Sequence, residues 1–191
     1  MEERVESFEM SSVAEDKRRR LVQQALEMDA DSFAVFQVLR RLIALIDEAK
    51  PHHGVKTPEQ AVEVAIACGA VMVGAFFAPE SDPERWAFRS HPPGLVRHKM
   101  MISAADRALR TMKLDQVREA TTGDPSWVTR MVERIFVRLW RSIGGVDREK
   151  ELALSLGSEG DLHATRVMDA WASVADTVRA FSPMPKYPLY P

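Results

Sequence analysis

The sequence predicts an all-α fold: one bundle-like helical domain of six to eight helices over residues 1–181, then an extended Pro-rich tail over 182–191. Three observations carry this expectation. Apolar residues recur at three- and four-residue steps in one segment after another. Several of these segments open on capping residues, and no run shows the two-residue alternation of a strand. The best-marked segment is Asp124 to Gly145, DPSWVTRMVERIFVRLWRSIGG. Asp124 is placed to cap the free N–H groups, Pro125 suits a first helical turn, and Gly144-Gly145 supply a stop. Val128, Met131, Val132, Ile135 and Leu139 form an apolar stripe, with Arg130, Arg134, Arg138 and Arg141 in a row on the far side of it.

The other elements are expected in this order. Ser12 with Glu15 makes a capping box for a helix to about Met28 that carries Lys17, Arg18, Arg19 and Arg20. Four successive bases wrap around a helix, so they read as solvated, with phosphate contact the alternative. A second helix spans about Ser32 to Lys50, faces Phe36, Leu39, Leu42, Ile43 and Ile46 inward, and is ended by Pro51. A third begins with Thr57, Pro58 and Gln60. Beyond Glu63 it is apolar nearly all round, which predicts a buried helix with Cys68 packed inside it. Ala70 and Gly74 share one face there, a spacing that lets another helix approach. Pro79 to Gly94 is the longest irregular connection. Its Trp86 is expected to staple the loop to the bundle, with base stacking as the alternative. A fourth main helix, about Leu95 to Lys113, turns Met101, Ala105, Ala108, Leu109 and Met112 inward and gathers Lys99, Arg107, Arg110 and Lys113 outside. The short Thr121-Thr122-Gly123 link makes it an antiparallel neighbour of the Arg-row helix. A short helix over Asp147 to Leu156 is stopped by Gly157. The last starts near Asp161 and turns Leu162, Val167, Met168, Trp171, Val174, Ala175 and Val178 inward. In SPMPKYPLYP the prolines exclude a helix, which leaves Tyr187, Leu189 and Tyr190 to dock on a partner or back on the domain.

At 191 residues, 46% hydrophobic and 28% charged, the chain has the composition of an ordinary globular domain. A net charge of -2 identifies no partner, but its distribution is uneven. Met1 to Asp16 carries six acids and one base, whereas Arg97 to Arg141 carries ten bases and five acids. That is a basic surface on a nearly neutral molecule. Cys68 is the lone cysteine, which precludes an intramolecular disulfide and suits a reducing cytoplasm, the expected location. The acidic start lacks the basic-then-apolar pattern of a secretory signal. The one apolar candidate for a span, Val64 to Ala78, falls short of the roughly 20 residues a bilayer needs.

Enzyme signatures are missing. His52, His53, His91, His98 and His163 form neither HExxH nor a Glu-x-x-His pair. The sequence has no phosphate-binding glycine loop and no GxSxG elbow. No catalytic residue, metal or cofactor is expected, and a small helical enzyme is the third reading. The leading one is nucleic-acid binding. Bases four apart repeat about every 6 Å along a helix, a spacing suited to following phosphates, and arginine contacts phosphate bidentately. Arg130, Arg134, Arg138 and Arg141 with Lys99, Arg107, Arg110 and Lys113 are the candidate contacts to RNA or single-stranded DNA. Tyr187, Leu189 and Tyr190 are candidate protein contacts. An adaptor or self-assembling protein without nucleic acid is the alternative.

A helical chain of this size with basic rows on neighbouring helices resembles the small subunits of multi-subunit CRISPR effector complexes. The resemblance lies in architecture and transfers no residue. It implies a non-catalytic subunit, present in several copies, that binds guide RNA and displaced DNA through the backbone.

Overall fold

The computed structural model describes residues 2–48, 54–76, 79–143 and 146–181. All regular structure among them is helical: α1 (Glu2–Asp47), α2 (Pro58–Phe76), α3 (Pro83–Trp86), α4 (Gly94–Thr111), α5 (Asp115–Ala120), α6 (Pro125–Met131), a π-helical segment (Val132–Val137), α7 (Arg138–Ile143), α8 (Val146–Leu156) and α9 (Ser158–Phe181). The α6–π–α7 stretch is one rod, so the described residues form eight helical bodies. The tail with Tyr187, Leu189 and Tyr190, the His52-His53 pair and the Gly144-Gly145 stop lie outside the described residues.

The expected break between two N-terminal helices is absent, because α1 is continuous for 46 residues. Ser12 and Asp31 are residues that favour caps by offering the backbone local hydrogen bonds. At Asp31 tertiary structure outcompetes that preference. The Asp31 carboxylate is buried and receives both Nε and Nη2 of the buried Arg97 on α4. Ser32 donates to the Met28 carbonyl at 2.8 Å and so stays within the helix. The pair stands between two cores. Ahead of it Ala25 and Met28 pack with Val96, Met100, Val167, Trp171 and Ala175. Beyond it Val35, Phe36 and Leu39 join the main core with Val62, Ile66, Leu95, Leu109, Met131 and Trp140.

α2 starts as expected: Thr57 Oγ1 accepts from the Gln60 amide while Gln60 Oε1 accepts from the Thr57 amide, each at 3.3 Å. It is not buried all round. Ala61, Val62, Ala65, Ile66, Ala70 and Val73 face inward, whereas Val64, Val71, Met72 and Cys68 are exposed. Cys68 is therefore a surface residue. Composition reports how apolar a helix is, but not how many sides its neighbours cover. Leu162 is likewise exposed, and His163 takes the inward place on α9. Gly160 lets α9 cross the end of α8, where a Cβ would overlap the Ser155 backbone.

Trp86 is 1% exposed, staples its loop as expected and donates from Nε1 to the Glu80 carbonyl. Gln24 donates to the carbonyls of Trp86 and Arg89, and its Oε1 meets His163 Nε2 at 2.8 Å. Glu151, buried on α8, accepts from the amides of Glu80 and Gly94 and so ties both ends of the loop to one carboxylate. Burial raises its pKa.

Two buried histidines make stability depend on pH. Burial pushes His98 down to about 4, and burial together with Arg166 and Lys17 does the same to His163. Below about pH 6.5 the unfolded chain takes up protons that the folded chain refuses, so stability should fall between about pH 6.5 and 4. Each ring should contribute roughly 3 kcal/mol to that loss. Glu151 acts in the opposite sense, since its raised pKa favours the folded chain as pH falls. Urea unfolding across this window measures the balance, and stability that rises as pH falls from 6.5 to 4 would show that the rings are not held neutral. Asp31→Ala should cost about 3 kcal/mol in the same assay, because it removes the carboxylate that holds the buried Arg97 guanidinium through two nitrogens.

Candidate nucleic-acid interface

The Arg-row segment begins as its sequence dictates. Asp124 Oδ1 accepts from the Ser126 amide at 2.9 Å ahead of Pro125. The Ser126 hydroxyl and amide hold the Asp124 carboxyl below the usual carboxylate range. Halfway along, the helix widens into the π-helical turn, which the periodicity did not reveal. Trp140 lies nine residues after Met131 and in an unbroken α-helix would point about 180° away from it. The extra residue of a π turn takes back about 100° of that rotation. Met131 and Trp140 are both buried as a result, and Trp127 with them. Among the described side chains of the rod, Trp127, Met131, Val137 and Trp140 are thus buried, while Val128, Val132, Ile135 and Leu139 of the expected stripe are half-buried. Gly94 fits against the Trp140 ring, where a Cβ would overlap it, and the Arg148 guanidinium lies 4.9 Å from the ring centroid.

The rod and α4 both rest on α2 and leave a groove of about 1180 Å³ between them. Lys99, Arg107 and Arg110 line it from α4, Arg118 from α5, and Arg134, Arg138 and Arg141 from the rod. Among the described residues, two lining carboxylates, Asp106 and Glu133, stand against these seven cations. Ile102, Val128, Val132 and Val137 form an apolar floor. Leu156, Lys99 and Arg141 mark one end, and Arg110, Arg118 and Gly123 the other. Arg130 and Lys113, the remaining two candidates, lie outside the groove. Arg130 donates to Ser126 Oγ at 2.9 Å and lies 3.8 Å from Asp124. Lys113 occupies the turn after α4 with φ 59°, a left-handed conformation that usually suits glycine or asparagine. Arg118 was missed because α5 is too short to show periodicity; its acidic neighbours Asp115 and Glu119 were the competing signal.

Carboxylates brace part of this basic wall. Asp106 accepts from Arg110 Nε at 2.9 Å and from the Thr122 hydroxyl at 3.0 Å, with Arg118 at 3.6 Å. Lys99 reaches the Ser155 carbonyl at 3.1 Å and Asp161 at 3.2 Å, and Arg141 lies 3.7 Å from Glu149. Arg134 and Arg138, in the middle of the rod, are exposed and form no ion pair among the described residues. His98 and His163 do not line the groove. Among the described residues no group of three or more metal-ligating side chains occurs, and no helix is long and apolar enough to cross a membrane. No family model matches the chain, and no curated protein or solved structure is significantly similar to it.

Asp106 should matter to folding more than the cations it holds. Asp106→Ala should cost about 1–3 kcal/mol, because it removes three partners from a carboxylate only 18% exposed. Arg110→Ala should change stability by less than about 0.5 kcal/mol. Urea denaturation of the two variants tests this; equal effects would deny Asp106 a bracing role.

Proposed function

We propose that this protein is a non-catalytic subunit of a nucleoprotein assembly, of the kind that the small subunits of CRISPR effector complexes represent, and that its groove holds the backbone of an RNA or DNA single strand. The observation that carries this reading is the convergence of seven cations from three helical elements on one concave surface that has two carboxylates among its described residues. Phosphate recognition accounts for the residue types. Arginine, which supplies six of the seven, offers bidentate contacts and never loses its charge. No aromatic side chain is among the described lining residues. With phosphate contacts carrying the binding, affinity should depend on charge rather than base identity. The exposed strip of Val64, Cys68, Val71 and Met72 on α2 supports the alternative, an adaptor that meets other protein subunits.

The Arg134→Gln/Arg138→Gln variant should bind all single-stranded sequences more weakly. Its plot of log affinity against log salt should be shallower by about 0.7 for each lost contact. Arg130→Gln should bind as wild type does, because Arg130 lies outside the groove. Fluorescence anisotropy over a salt series measures both. Unchanged affinity and slope in the double variant, or no binding by wild type at low salt, would leave the adaptor reading in first place.

A further inference from the structure

The acidic opening of the chain is the largest charge feature that the groove leaves unused. Met1 to Asp16 holds six of the 28 carboxylates against a single base, and Glu2 onward is helical as part of α1. The backbone that carries these acids is thus a helical rod, about 10–12 Å across with its side chains. The described end of this stretch also offers apolar surface, since Val13 is 54% exposed. The groove is complementary on both counts, with a floor of aliphatic side chains beneath a cationic rim. Its two mid-rod arginines, Arg134 and Arg138, have no described carboxylate within ion-pair distance.

We infer that the acidic first turns of α1 in one copy dock in the basic groove of a second copy. Within a single chain the groove is out of reach. α1 is uninterrupted, its residues from Gln24 to Leu39 are fixed in the two cores, and Arg97 on another face of α4 holds it there. Folding the first turns back would require a break in that helix. The contact joins two different surfaces, so each copy presents both an acidic rod and a groove, and association runs head to tail. Being a contact between opposite charges, it weakens as salt screens them. The inference goes beyond nucleic-acid binding and does not depend on it, because self-association is read with no nucleic acid present.

The test is a complementation. One full-length variant carries Glu2→Gln, Glu3→Gln, Glu6→Gln and Glu9→Gln; the other carries Arg134→Gln and Arg138→Gln. Sedimentation velocity at low salt should show wild type associating as its concentration rises and returning to monomer at high salt. Each variant alone should be monomeric. Mixed, they should form a one-to-one heterodimer and stop there, since one supplies only the rod and the other only the groove. Association of either variant alone, a mixture that stays monomeric, or a wild type monomeric at low salt overturns the inference. A wild type that binds no single strand at low salt, with the heterodimer still formed, would count against the nucleic-acid reading alone.

Discussion

The ion pair between Asp31 and Arg97 is the constraint on which the rest of the structure depends. Both groups are largely removed from water, 8% and 7% exposed, and desolvating two charges is costly unless geometry and hydrogen bonds compensate. Here the guanidinium meets the carboxylate through two nitrogens, and Glu27 adds a second carboxylate at 3.6 Å, itself in contact with His91. What the pair contributes is register. It fixes α1 against α4 at the boundary between the two cores and keeps α1 helical through residues that favour an end. With α4 fixed in rotation, Lys99, Arg107 and Arg110 are committed to the groove side.

The opposite wall depends on a departure from regular helix. Without the π turn the rod could not bury Met131 and Trp140 together while showing Arg134 and Arg138 to the groove. Burial of Trp140 in turn ties the rod to α4 and α8, through Gly94 beneath its ring and Arg148 beside it. Glu151 completes the corner by accepting from the first amide of α4. A carboxylate near a helix N-terminus complements the helix dipole, which partly offsets the cost of burying it.

Much of this was legible in the sequence. The cap at Asp124, the reciprocal pair of Thr57 and Gln60, the inward side of α4 and the basic residues Lys99, Arg107, Arg110, Arg134, Arg138 and Arg141 follow from local chemistry and spacing. Other features were not legible because they are decided by what lies opposite. Asp31 looks like a helix end until Arg97 is seen to face it. Cys68 looks buried until the outer side of α2 is found uncovered, and Leu162 looks like core until His163 is found in its place. The π turn has no local signature; its cause is the demand of the core for Trp140. Arg118 belongs to the groove because the Thr121–Gly123 turn folds back over it, bringing the Gly123 amide to its carbonyl at 2.7 Å.

The π turn also bears on how such a chain can diverge. An inserted or deleted residue within a helix normally rotates everything after it out of register. Here the extra residue is already absorbed as a bulge. Losing one residue from Val132–Val137 would restore an ordinary helix, shorten the rod by a single step, and leave Trp127 and Trp140 facing the same core. Descendants of this chain can therefore differ in length at the middle of the rod without repacking, and a gap-free comparison would read its two halves in different frames.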